Sequence, residues 1–93
     1  MSEKACAHIF VSGVVQGVGF RFFAVRKAQE YGLKGWVRNT YDGTVESEVE
    51  GEKGLILEYI KELKVGPRAA NVSDVKVNWK EFQNKYQDFQ IAW

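Results

Sequence analysis

The stretch VSGVVQGVGFR, residues 11–21, decides how this chain is read. Ahead of it, Ala7, Ile9 and Val11 alternate with Cys6, His8 and Phe10 as a strand alternates its faces. Within it the alternation breaks at Gly13, Gly17 and Gly19, and at Phe20-Arg21 a helical spacing begins. A strand that feeds a glycine-rich turn into a helix N-terminus makes an anion cradle. Glycines let successive backbone N–H groups converge, and the helix end adds unpaired donors and partial positive charge. Arg21 at the rim brings a planar fork of donors suited to phosphate or carboxylate.

Working outward, the first strand covers Ala5 to Ser12. A helix runs from Phe20 to about Tyr31, with Phe20, Ala24, Lys27/Ala28 and Tyr31 on one face and Gly32 placed to stop it. Lys34–Asn39 and Thr44–Glu50 are two strands joined through Asp42-Gly43, a strong turn signal. In the second of these, Val45, Ser47 and Val49 point inward, and Glu46, Glu48 and Glu50 are expected on a solvated face. Glu52–Lys64 is an amphipathic helix with Ile56, Tyr59, Ile60 and Leu63 at helical spacing, stopped by Gly66-Pro67. Val72–Trp79 alternates again, with Val75, Val77 and Trp79 inward. Lys80–Asp88 reads as a polar loop, and Phe89, Ile91 and Trp93 form a short terminal strand.

The order βαββαβ plus a terminal strand implies an α+β chain of ferredoxin-like, split βαβ type. Its two helices pack on one face of an antiparallel sheet, the first and third strands are central, and the other face is more open. Ninety-three residues fit a single domain, residues 1–93. A chain of this size buries roughly 60–70% of its unfolded surface, one core with a thin margin. Thirteen basic and twelve acidic residues balance to +1, which gives no general attraction to nucleic acid or membrane, so any anion site is local. One cysteine, Cys6, excludes an internal disulfide and a cysteine-based metal cluster, and fits a reducing cytoplasm. No apolar run reaches membrane-spanning length.

In this topology the ends of the first and second strands point the same way, so Asn39 at the end of the second is expected near an anion held by the loop. An amide has no titratable lone pair near neutral pH, but it can hold a water in line with an electrophile. Each residue also has a bland reading. Arg21 alone suggests a surface ion pair, yet a cation in a helix first turn is disfavoured by ~0.3–1 kcal/mol unless an anion sits beside it. Asn39 alone suggests a turn residue. His8 has no evident partner and reads as structural, as does Cys6. Arg38 reads as solvated, and Trp36, Trp79 and Trp93 read as packing residues.

Two segments are recognisable together. Val11–Arg21 and Gly35–Gly51 (GWVRNTYDGTVESEVEG) resemble the paired signatures of the acylphosphatase family, and the likeness extends over nearly the whole chain. The resemblance implies a ferredoxin-like fold and hydrolysis of the carboxyl–phosphate anhydride bond of small acyl phosphates, with neither metal nor cofactor. By position it implies that Arg21 and the backbone N–H groups of Gln16, Gly17, Val18, Gly19 and Phe20 bind the phosphoryl group, and that Asn39 positions the attacking water. Phosphoryl transfer asks mainly for positioning and charge stabilisation. The water's proton can pass to the substrate phosphate, so no protein base is required. Relatives often end in tyrosine and often carry a hydroxyl residue, usually threonine, just after the arginine. Here Trp93 keeps the aromatic ring without the hydroxyl, and Phe22-Phe23-Ala24 follows the arginine.

Three rivals share the fold. A non-catalytic binder of phosphate or acyl phosphate would use the same cradle. An RNA-binding sheet would place aromatics on its central strands, and Glu46, Glu48 and Glu50 there argue against it. An acylphosphatase-like front domain of a larger carbamoyl-transfer protein is disfavoured by the chain's length and its lack of zinc-type cysteines. The expectation is a free-standing cytoplasmic hydrolase, monomeric, without nucleic-acid or membrane partners.

Overall fold

The computed structural model describes residues 3–93. Its elements are β1 (Lys4–Val14), α1 (Phe20–Glu30), β2 (Lys34–Asn39), β3 (Val45–Glu52), α2 (Lys53–Val65), β4 (Asn71–Lys80) and β5 (Phe89–Ile91). The five strands form one sheet in the order β4-β1-β3-β2-β5. β1 pairs antiparallel with both β3 and β4, and β2 pairs antiparallel with β3. The expected fold is present, with one departure: β5 runs parallel to β2, so the sheet is not wholly antiparallel. Trp93 lies beyond that strand.

Local chemistry sets the helix ends where the spacing placed them. α1 buries Phe20, Ala24 and Ala28 against the sheet. It closes when Leu33 N–H bonds to Ala28 C=O (2.9 Å) and Gly32 N–H to Gln29 C=O (3.1 Å), with Gly32 at φ 66°. This two-bond closure needs a left-handed residue at Gly32 and seats buried Leu33 against the core. α2 buries Ile56, Tyr59, Ile60 and Leu63. Between the layers lie Ile9, Val11, Val37, Val45 and Val49, all at most 1% exposed. Ser47 is tolerated in this core because its hydroxyl donates to Trp36 C=O (2.8 Å) and so accepts from the buried Tyr59 hydroxyl (3.0 Å).

The other face of the sheet corrects the sequence reading. Glu46, Glu48 and Glu50 are not solvated: they are 7%, 4% and 2% exposed. Periodicity reported only that they share a face. It could not report that Lys80–Asp88, a polar segment without periodicity, folds back across that face. Glu48 accepts from Lys80 Nζ (2.8 Å) and from the Tyr86 hydroxyl, with Lys85 Nζ at 3.3 Å. Glu50 accepts the backbone N–H groups of Gln83 (2.8 Å) and Lys85 (3.0 Å). Glu46 accepts from Arg38 Nε (2.8 Å) and lies 2.6 Å from His8 Nε2, so His8 has a partner and Arg38 is not merely solvated. Burial pushes the Glu48 carboxyl up, but the hydrogen bonds from Lys80, Tyr86 and Lys85 outweigh it and hold it at about 2. Burial, with Glu48 and Glu50 nearby, pushes the Cys6 thiol up to about 11, as befits a packing residue.

The tryptophans also divide. Trp36 is half-buried and donates Nε1–H to the Tyr86 hydroxyl (3.0 Å). Trp79 is 42% exposed, because β4 is an edge strand and no other strand of the described sheet lies beyond it. Its ring has Lys53 Nζ 5.1 Å away. Trp93 is 88% exposed and is not a packing residue.

Candidate functional site

Residues 15–19 join the end of β1 to the start of α1. Gly17 has φ 75° and Gly19 has φ 77°, both left-handed, with Val18 between them at negative φ. Alternating handedness turns successive N–H groups toward one side and makes a concave anion nest. Gly19 is also the N-cap of α1, and no side chain caps the helix there. The first intrahelical bond is Phe23 N–H to Gly19 C=O (3.1 Å), which leaves the N–H groups of Phe20, Arg21 and Phe22 without helix acceptors. The first turn holds no acidic residue, so its donors and its positive dipole end are uncompensated. A Cβ built on Gly17 or Gly19 meets nothing within 4 Å, so these two positions are left to glycine by their backbone conformation and not by crowding.

Arg21 stands in this first turn, half-buried. Among the described residues no carboxylate pairs with it, which sets aside the bland reading. Its guanidinium carbon lies 4.7 Å from the centre of the Trp93 ring.

Asn39 closes β2. Val11 pairs with Val45, and Val45 with Asn39, so the three form one row across the sheet at the end where the loop leaves β1. That row faces the helix layer, because Val11 and Val45 are core residues. Asn39 thus points to the side of the sheet on which α1 begins. Its Oδ1 is buried and takes no hydrogen bond from any described group. A buried acceptor left without a donor costs about 1–3 kcal/mol, so this atom favours a donor such as a water O–H.

Gln16 locks the two halves together. Its Nε2 donates to Thr40 C=O (2.6 Å) and Thr44 C=O (2.8 Å), fixing the loop to the β2–β3 turn immediately after Asn39. Sequence reasoning gave Gln16 only a backbone role and missed this side chain. The only signal in the sequence was its chemistry, a two-donor amide set between Val15 and Gly17, which does not say what it would reach. The turn is braced from within, since Thr40 N–H donates to Thr44 C=O (3.0 Å) and Asp42 accepts from the Thr40 and Thr44 hydroxyls.

Fold and site together define a small split-βαβ domain in which, among the described residues, an anion nest and an arginine with no paired carboxylate share one end of the sheet with an amide oxygen that has no donor. The acylphosphatase family model matches residues 7–91, and the chain belongs to that family. It is 50% identical over 90 residues to the acylphosphatase of Pyrobaculum calidifontis, a match spanning 96% of this chain and 82% of that one. It is 45% identical over 91 residues to the acylphosphatase of Chlorobaculum tepidum, spanning 98% of each. The crystal structure of acylphosphatase from Bacillus subtilis matches with a TM-score of 0.93 at 34% identity, over 96% of this chain and 99% of that one. The RNA-binding reading is set aside by this membership.

Proposed function

We propose that the chain hydrolyses small acyl phosphates to carboxylate and inorganic phosphate, with Arg21 and Asn39 as the two halves of the site. The phosphoryl oxygens take the N–H groups of Gln16, Gly17, Val18, Gly19 and Phe20 and the guanidinium fork of Arg21. Asn39 Oδ1 accepts one O–H of a water and holds its oxygen toward phosphorus. The water oxygen bonds to phosphorus, and the phosphorus–acyl oxygen bond breaks with its electron pair on the departing carboxylate. The water's proton goes to the phosphate just formed. The carboxylate is a good leaving group, so no protein acid is needed, and the guanidinium with the helix N-terminus meets the charge without a metal.

The observation that carries a hydrolase over a mere binder is the buried, unsatisfied Asn39 Oδ1. A phosphate presents acceptors to the nest, whereas this atom calls for a donor. We further read all 93 residues as one cytoplasmic, monomeric domain acting on a small molecule. In support of that reading, no helix of the described residues is long and apolar enough to cross a membrane, and the lone cysteine is buried. The open sheet face does not suit a nucleic-acid strand. Its carboxylates are paired, so repulsion is not the obstacle, but the Lys80–Asp88 segment lies across it with Tyr86 on Trp36 and Glu48.

The test is phosphate release from acetyl and benzoyl phosphate in the presence of chelator. The native protein is expected to turn over both. Arg21→Gln loses a charged fork, so phosphate affinity falls about ten- to a hundredfold and turnover falls with it. Asn39→Ala keeps phosphate affinity and loses about 10²-fold in kcat, the usual cost of a misplaced reactant. Saturable phosphate binding without turnover in the native protein would instead establish the non-catalytic binder.

A further inference from the structure

We propose that Trp93 is a positioning residue for the phosphate-binding arginine, holding the Arg21 guanidinium by its flat face while leaving the N–H edge free. The inference rests on the reading of Arg21 as the phosphate ligand. β5 pairs Phe89 with Gly35 and Ile91 with Val37, so two further residues along the same register bring Trp93 level with Asn39. Ala92 N–H still bonds to Val37 C=O (2.8 Å), which anchors the chain immediately before it. The ring is thereby carried to the site end of the sheet, 4.7 Å from the Arg21 guanidinium carbon.

Packing does not explain a tryptophan there, since Trp93 is 88% exposed. What Arg21 lacks does. An arginine in a helix first turn is pushed off by the dipole and has a long side chain free to wander. A carboxylate would hold it, but would occupy the N–H fork and cancel the charge that must meet phosphate. An aromatic face attracts the cation from above its plane and leaves all five N–H donors at the edges available. Indole offers the strongest such face of the natural side chains.

The test compares Trp93→Phe, which keeps a ring, with Trp93→Leu, which keeps an apolar side chain but no π face. Phosphate affinity is measured by calorimetry, alongside KM and kcat for benzoyl phosphate and the urea midpoint. Trp93→Leu is expected to weaken phosphate binding and raise KM together by about three- to tenfold, with kcat little changed. Trp93→Phe stays within about twofold of native, and neither variant moves the urea midpoint. In an Arg21→Gln background, Trp93→Leu has no further effect on phosphate affinity. Equal phosphate affinity in the Leu, Phe and native proteins overturns the inference, as does an undiminished Leu effect without Arg21. A native protein that binds phosphate but releases none from acyl phosphates would end the hydrolase reading and leave this one to the affinities. A native protein that binds no phosphate would end both.

Discussion

Gly19 holds φ 77° at the start of α1, where an L side chain costs about 1–2 kcal/mol. A Cβ there meets nothing within 4 Å, so the cost of Gly19→Ala is conformational and not steric. The variant can fold with strain, or relax the residue and swing the first-turn N–H groups away from one another. Either way the nest suffers more than the fold. Gly19→Ala is expected to lower stability by about 1 kcal/mol in urea melts and to weaken phosphate binding at least tenfold by calorimetry. Unchanged affinity would mean that these N–H groups do not hold the anion. The need for glycine was legible in the sequence, because the spacing of Gly17 and Gly19 before a helical run has few other uses. The state of Asn39 was not. Its type and place at the end of β2 could be read, but whether its oxygen finds a donor depends on every neighbour in the fold.

At the scale of elements, the decisive link is the one between the β1–α1 loop and the β2–β3 turn. Each segment was readable alone, since glycines and Asp42-Gly43 announce turns locally. The Gln16 clasp was not, because it joins residues 24 and 28 positions apart and follows no period. Gln16→Ala removes two donors from carbonyls near the site, and about 1–2 kcal/mol of stability is expected to go with them. If the clasp sets the distance between nest and water, kcat should fall about tenfold or more with phosphate affinity nearly kept. Gln16→Ala and Asn39→Ala combined should then cost less than the sum of the two in activation free energy, since the clasp serves Asn39. Additive effects in kinetics of the two single variants and the double variant would show that the clasp is structural only. The helices were the most legible elements, their apolar stripes and glycine stops agreeing with the buried sets of α1 and α2. The parallel edge β5 was the least legible, three residues long and set by where the preceding segment crosses.

Over the whole molecule, two layers face opposite sides of the same sheet: helices on one, and on the other the Lys80–Asp88 segment held down by two buried carboxylates, Glu48 and Glu50. This second layer joins β4 to β5 and so determines how β5, with Trp93 beyond it, meets the site. Glu48 is its centre, with Lys80, Lys85 and Tyr86 converging on one carboxylate. Its carboxyl is held at about 2 against an ordinary 4.5, and the Glu46 carboxyl is lowered as well, the bonds from His8 and Arg38 outweighing burial. A carboxyl whose pKa is depressed by folding contributes fully above its unfolded pKa, and that contribution is lost as pH falls through the folded value. Native stability should therefore hold near neutral pH and fall between about pH 4.5 and pH 2. Glu48→Gln keeps the shape but removes the charge. It should cost about 1–3 kcal/mol at pH 7, less than breaking a fully buried pair, because Lys80 and Lys85 are 47% and 42% exposed. It should also lose most of the acid slope, so that the two proteins converge toward pH 2. Urea midpoints of both proteins between pH 7 and pH 2.5 measure this directly. Parallel curves would place the acid sensitivity elsewhere, whereas convergence would make the clamp on Glu48 the acid-labile fastening of the second layer.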